Sequence, residues 1–359
     1  FAHEVMLVCF GLNQEFDIIS NDVSLFPLLF LHPSQRTLFY RVIKKSRIPS
    51  THHPPETHYV TTEDGYILGV HRIANPYTMY PPVYFQHGLL ASSDLWLMRG
   101  PEEELAFQLA LKGYDIWLSN VRGSTYSRNH TTLSPDEEKF WDFSWHEMGT
   151  RDLPAVIDFI LAKTRQKRLF YVGHSMGTTQ FYVMASARPE YNDKIAVQFS
   201  LAPICFMGNM RAFDLFHPFA VDFDLYKVSD RGDFPIRLDK YCIFLAEKYS
   251  LVKDIIFDTD KFNRFDYGPE ENLLRYGLRY PPAYNLSAIT AKVAIYFADN
   301  DYLSHPKVTF YCLNQTIHRT IIEYQRGRKS ARDGTKIFLR LSWLSGRCAY
   351  QMIAEIMLF

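Results

Sequence analysis

Gly173-His174-Ser175-Met176-Gly177 sets a serine between two glycines, with one residue on each side. A serine hydroxyl becomes a useful nucleophile only when it is held on an accessible turn beside a base. This spacing builds such a turn where a strand runs straight into a helix. The flanks fit: "RLFYVG" before it reads as a buried strand, and "TTQFYVMASA" after it reads as a helix. The glycines let the backbone approach its neighbours where a Cβ would clash. The helix N-terminus behind Ser175 favours negative charge developing there.

Attack on an ester carbonyl needs two backbone donors for the oxyanion. The N–H of Met176, directly after the serine, is one. The other belongs to the loop after an earlier strand, and "FQHGLL" at residues 85–90 supplies Leu89. The triad order serine, acid, histidine then calls for a carboxylate after a later strand. "AIYFADNDYL" offers Asp299 and Asp301. A dehalogenase or epoxide hydrolase on a related scaffold would carry an acid in place of Ser175.

The elements that must position these groups alternate along the chain. Residues 57–73 alternate in polarity around Asp64-Gly65 and predict a β-hairpin. "PPVYFQHGLL" and "DIWLSNVRG" predict buried strands. Between them "PEEELAFQLALKGY" has the acidic start and glycine stop of a helix. "TRDLPAVIDFILAKT" predicts another helix, and "KIAVQFSLAP" and "AKVAIYFADND" two further strands. Alternating strands and helices with nearly continuous apolar strands predict an α/β chain, mostly parallel in its sheet, with helices on both faces. The rhythm breaks between about Cys205 and Pro282, which reads as an insertion. The terminal "IFLRLSWLSGRCAYQMIAEIMLF" has apolar spacing that suits a helix.

The 359 residues carry 39 basic and 39 acidic side chains, so no nucleic-acid footprint is expected. No apolar run reaches the length of a membrane span. "VMLVCFGL" near the start has the length of a signal-peptide core, or is an ordinary buried segment. Cys9, Cys205, Cys242, Cys312 and Cys348 form no C-x-x-C pair, and their odd number leaves one thiol over. His52, His53 and His58 lack a further ligand cluster, so neither a metal nor a cofactor is expected. Asn129, Asn285 and Asn314 begin N-x-[ST] triplets.

Taken together, "PPETHYVTTEDGYILGVHRI", "FQHGLLASSDLW", "GPEEELAFQLALKGYDIWLSNVRGSTYSRNH", "FWDFSWHEMGTRDLPAVIDFIL", "YVGHSMGTTQFYVMASARPEY" and "FDYGPEENLLRYGLRYPPAYNLSAIT" resemble the acid lipase family of gastric and lysosomal lipases and their insect relatives. The resemblance implies an α/β-hydrolase fold with a helical cap, and hydrolysis of lipid carboxylic esters at a lipid–water interface. It also implies a secreted or lysosomal protein. It assigns Ser175 as nucleophile, Asp301 as triad acid, and Leu89 and Met176 as oxyanion donors. The expected organisation is an N-terminal segment (1–53), a first part of the core (54–204), a shortened cap (205–282) and the remainder of the core (283–359). Phe206, Met207, Met210, Phe213, Leu215, Phe216 and Phe219 would face an acyl chain or pack the cap.

One feature departs from the family. Its catalytic histidine belongs about thirty residues after the acid, where this chain reads "EYQRGRKSARDGTKIFLRLSW". The last histidines are His305 and His318, neither a natural base. Either the reading frame is altered near Gly327, or the chain is a catalytically inactive lipid-binding relative.

Overall fold

The Asp64-Gly65 turn closes a hairpin of β1 (Glu56–Thr61) and β2 (Tyr66–Ile73), paired from Glu56↔Arg72 to Thr61↔Ile67. Gly65 takes φ 96°, which only glycine adopts freely. The computed structural model describes residues 55–89, 91–97, 104–205 and 262–298, and the backbone of three short strands beyond them.

Each predicted buried strand pairs into one sheet. In chain order these are β3 (Val83–Gln86), β4 (Ile116–Ser119), β6 (Leu169–His174), β7 (Ile195–Leu201) and β8 (Val293–Ala298), with an unpredicted two-residue β5 (Asn129–His130) between β4 and β6. They are followed by β9 (Glu323–Gln325), β10 (Arg328–Ser330) and β11 (Ile337–Leu341). The order across the sheet is β1-β2-β4-β3-β6-β7-β8-β11-β9-β10, with β5 on the edge of β2. All pairs from β4 to β9 along that path are parallel. The helices are α1 (Leu105–Leu111), α2 (Leu153–Thr164), α3 (Met176–Ala187) and α4 (Pro269–Tyr276). Among the described residues no helix is long and apolar enough to cross a membrane.

Because side chains alternate across a strand, the central strands feed two cores. Tyr84, Trp117, Leu169 and Tyr171 join the cluster that includes α2 and α3. Val83, Phe85, Ile116, Leu118, Phe170 and Val172 join the cluster that includes Phe107 and Leu109 of α1. Helices therefore cover both faces, as the strand composition required. Phe262 and Phe265, at the far end of the predicted insertion, lie in the first of these cores together with Ile204 and Cys205 at its near end.

The terminal helix expected over the last residues fails at its beginning. Ile337–Leu341 is a strand, in parallel register with β8 from Ile337↔Ala294 to Leu341↔Ala298. A run as short as "IFLRL" is equally apolar under either period, and an open parallel edge on β8 decides for the strand.

Candidate active site

β3 sits between β4 and β6. The chain leaves β3 towards β4 on one side and later returns as β6 on the other. The loops after β3 and β6 therefore diverge at the carboxyl ends of the strands, where open α/β sheets hold their ligands. These two loops carry Leu89 and Ser175.

Ser175 adopts φ 52° and ψ −120°, a conformation costly for any residue with a Cβ. Three contacts impose it. Its N–H donates to the Leu201 carbonyl at the end of β7 at 2.9 Å. Its carbonyl accepts from the Thr178 N–H at 2.8 Å and from the Thr178 hydroxyl at 2.6 Å. Thr178 Oγ in turn accepts the Ile204 N–H at 3.0 Å, so the turn is tied to the chain after β7.

The glycines are explained by what surrounds them. A Cβ on Gly173 would lie 2.9 Å from the Gly177 carbonyl carbon, and one on Gly177 would lie 2.5 Å from the Gln86 carbonyl oxygen. Helix α3 thus starts pressed against the end of β3, and the Tyr171 hydroxyl fixes it there by donating to the Gly177 carbonyl at 2.7 Å. Gly88 is equally close to the serine: its Cβ would be 2.9 Å from the Cβ of Ser175. The sequence-predicted oxyanion loop and nucleophile are therefore neighbours. Met176 is the first residue of α3, where N–H groups have no intrahelical acceptor. Leu89 is half-buried against the first core.

His87 is fully buried, and the hydrogen bonds define its tautomer. Its Nε2 accepts the Val121 N–H at 3.2 Å, so its Nδ1 carries the proton and donates to the Gly88 carbonyl at 2.8 Å. Burial pulls its pKa down to about 4. With both nitrogens committed, His87 orients the loop and is not free to accept a proton from Ser175. Burial likewise pulls His174 down to about 4, with Nδ1 shielded from solvent.

Sequence reasoning missed the other end of this clamp. Asn120, fully buried after β4, accepts the Ser93 N–H at 2.9 Å. Its amide donates to the Ser93 hydroxyl and to the Gly69 carbonyl, each at 3.0 Å. Residues 87 and 93 bracket the oxyanion loop, and both are held by the pair Asn120-Val121. Nearby, Arg122 is fully buried between Asp152 (2.5 Å) and Asp64 (2.7 Å), with its guanidinium 4.0 Å from the Tyr66 ring. Arg122 holds the Asp64 carboxyl well below the usual carboxylate range, against the opposing effect of burial. The only sequence signal for this set was the "SNVRG" stretch at the end of a strand.

Asp299 and Asp301 follow β8, as expected of a triad acid, but both lie outside the described residues, as do His305, His318 and residues 206–219 of the insertion. Cys205 is disulfide-bonded. His58 is held by Glu56 at 2.7 Å and stacks on Trp117.

The family models concur with this geometry. An alpha/beta hydrolase fold model matches residues 81–220, and a partial alpha/beta-hydrolase lipase region matches residues 47–100. Lipase 1 of Drosophila melanogaster is 39% identical over 291 residues, 70% of this chain and 66% of its own length. Bos taurus gastric triacylglycerol lipase is 35% identical over 329 residues, 76% of this chain and 82% of its own length. Homo sapiens lipase member K is 34% identical, over 71% of this chain and 77% of its own length. A strained serine between a parallel sheet and a helix, with likeness of this extent to lipases, leads to one conclusion: the chain belongs to the gastric and lysosomal acid lipase family of α/β hydrolases.

Proposed function

We propose that the protein hydrolyses carboxylic esters of lipids, triacylglycerols or sterol esters, through a serine acyl-enzyme. The observation that carries this reading is the juxtaposition of Ser175, in its strained turn, with the Gly88-Leu89 loop. Ser175 Oγ attacks the ester carbonyl, and the N–H groups of Leu89 and Met176 stabilise the oxyanion. Asp301 orients the histidine that takes the serine proton. His87 is committed to its loop, and the candidates for that role are His305 and His318, neither of them at the position where the family carries its base. The relatives named gastric lipase support secretion or lysosomal delivery and work at a lipid–water interface.

The test is labelling of the purified chain with a fluorophosphonate, beside Ser175→Ala. Labelling that vanishes in the variant is expected. If labelling is present, His305→Ala and His318→Ala identify the base by which of them abolishes it. A folded chain that stays unlabelled but binds lipid would replace the enzyme reading with that of an inactive lipid-binding relative. That second reading has its own support in the absence of any histidine after His318.

A further inference from the structure

Asn129 and His130 form β5, the two-residue strand paired with Ile67 and Tyr66 of β2, and Thr131 follows it. His130 turns inward. Its ring meets Tyr66 edge-on at 4.8 Å, and its Nε2 donates to the Asp64 carbonyl at 2.7 Å. The donor is assigned because Nδ1 accepts the N–H groups of Thr132 and Leu133, each at 3.0 Å. Asn129 and Thr131, on either side of His130, are both exposed, with the Thr131 hydroxyl lying over Gly65. The Thr131 N–H donates to the Gly65 carbonyl at 2.9 Å, which fixes the backbone of the triplet without using either side chain.

We propose that Asn129 carries an N-linked glycan. The proposal rests on the reading that the protein enters the secretory pathway. The co-reactant is a lipid-diphosphate-linked oligosaccharide. Asn129 Nδ2 forms a bond to the anomeric carbon, the bond from that carbon to the diphosphate oxygen breaks, the lipid diphosphate leaves, and Nδ2 gives up one proton. The geometry supplies two of the three requirements: Asn129 and Thr131 are both exposed, and the backbone between them is fixed at the surface. The third, the triplet itself, is in the sequence.

The position has a consequence for the site. β2 runs antiparallel to β4, with Val70 opposite Ser119 at the carboxyl end of β4. Tyr66 and Ile67 therefore lie at the same end of the sheet as Ser175, three strands away, or about 14 Å at the spacing of neighbouring strands. A glycan here adds a hydrated bulk beside the catalytic end, on the β2 side.

The test is peptide mapping of the protein isolated from its own organism, after amidase release of N-glycans in heavy-oxygen water. Trypsin frees residues 129–139, and the Asn285 triplet falls in the separate peptide 280–292. Expected is isotope-marked aspartate at position 129. In the full chain secreted from eukaryotic cells, Asn129→Gln and Thr131→Ala should each lose one mobility step. Thr131→Ala retains Asn129 and guards against a folding defect of the first variant. An unmodified 129–139 peptide beside a modified 280–292 peptide would overturn the proposal and leave secretion standing. Unmodified peptides 129–139, 280–292 and 308–319, the last with the Asn314 triplet, would overturn both.

Discussion

A methyl group on Gly88 would sit 2.9 Å from the Cβ of Ser175 and 3.1 Å from the His174 carbonyl oxygen. The Gly88-Leu89 loop and the Ser175 turn therefore share one van der Waals surface. Gly88→Ala should slow fluorophosphonate labelling by roughly 10²–10³, the scale of losing one oxyanion donor. Gly149→Ala is the control. Its Cβ would meet Val183 and the Gln180 carbonyl, so about 1–3 kcal/mol of stability should go while labelling of the folded protein holds. Equal labelling loss in both variants would refute the shared surface.

Ser175 bears the conformational cost of its own position. At φ 52° and ψ −120° glycine is the comfortable residue. Ser175→Gly should abolish labelling and raise stability by about 1 kcal/mol, read by urea unfolding. A variant less stable than the parent would mean that the turn is not strained.

Acid should weaken the folded state through His71 and His87, both almost wholly buried. Burial lowers each from 6.5 to about 4, so the unfolded chain binds protons that the folded one refuses. Stability is fully present above about pH 6.5 and falls as pH drops towards 4, by on the order of 3 kcal/mol for each ring. His71→Asn should flatten that fall between pH 6.5 and 4 when urea midpoints are compared. An unchanged slope would clear His71 of the effect.

Arg122 neutralises two carboxylates in a fully buried position. Arg122→Met leaves Asp152 uncompensated and Asp64 with Arg151 alone, and should cost about 3–5 kcal/mol in chemical unfolding. Asp152→Asn in the same background should recover part of it. No recovery would place the loss in packing against Tyr66 and Phe143 instead.

How much of this was legible in the residues differs from feature to feature. The hairpin, α1 to α3 and the strands β3, β4 and β6 to β8 announce themselves because apolar runs of fixed period are bounded by Gly, Pro or acidic starts. The turn at Ser175 and its closeness to the loop of Gly88 were legible because such a turn needs glycine at set positions. Asn120 was not, since its value comes from β4 lying beside β3, which places it next to Ser93, a neighbour far along the chain. Nor was β11 legible, because a five-residue run with four apolar side chains does not distinguish a strand from a helix until the sheet offers an edge. His87 lies between: the motif names it, but only the Val121 N–H fixes which nitrogen holds its proton.

Cys205 and Phe262 are both buried in one core, with roughly 55 residues of chain between them, and Gln198 of β7 pairs with Val293 of β8 across the gap. The sheet closes whatever that excursion contains. Closure entropy grows only with the logarithm of loop length, so removing about twenty residues from a family-length excursion changes the cost by only ~0.3 kcal/mol. Residues can therefore be added to this interval or taken from it while the sheet that closes it keeps its stability, which leaves its length open to evolutionary change.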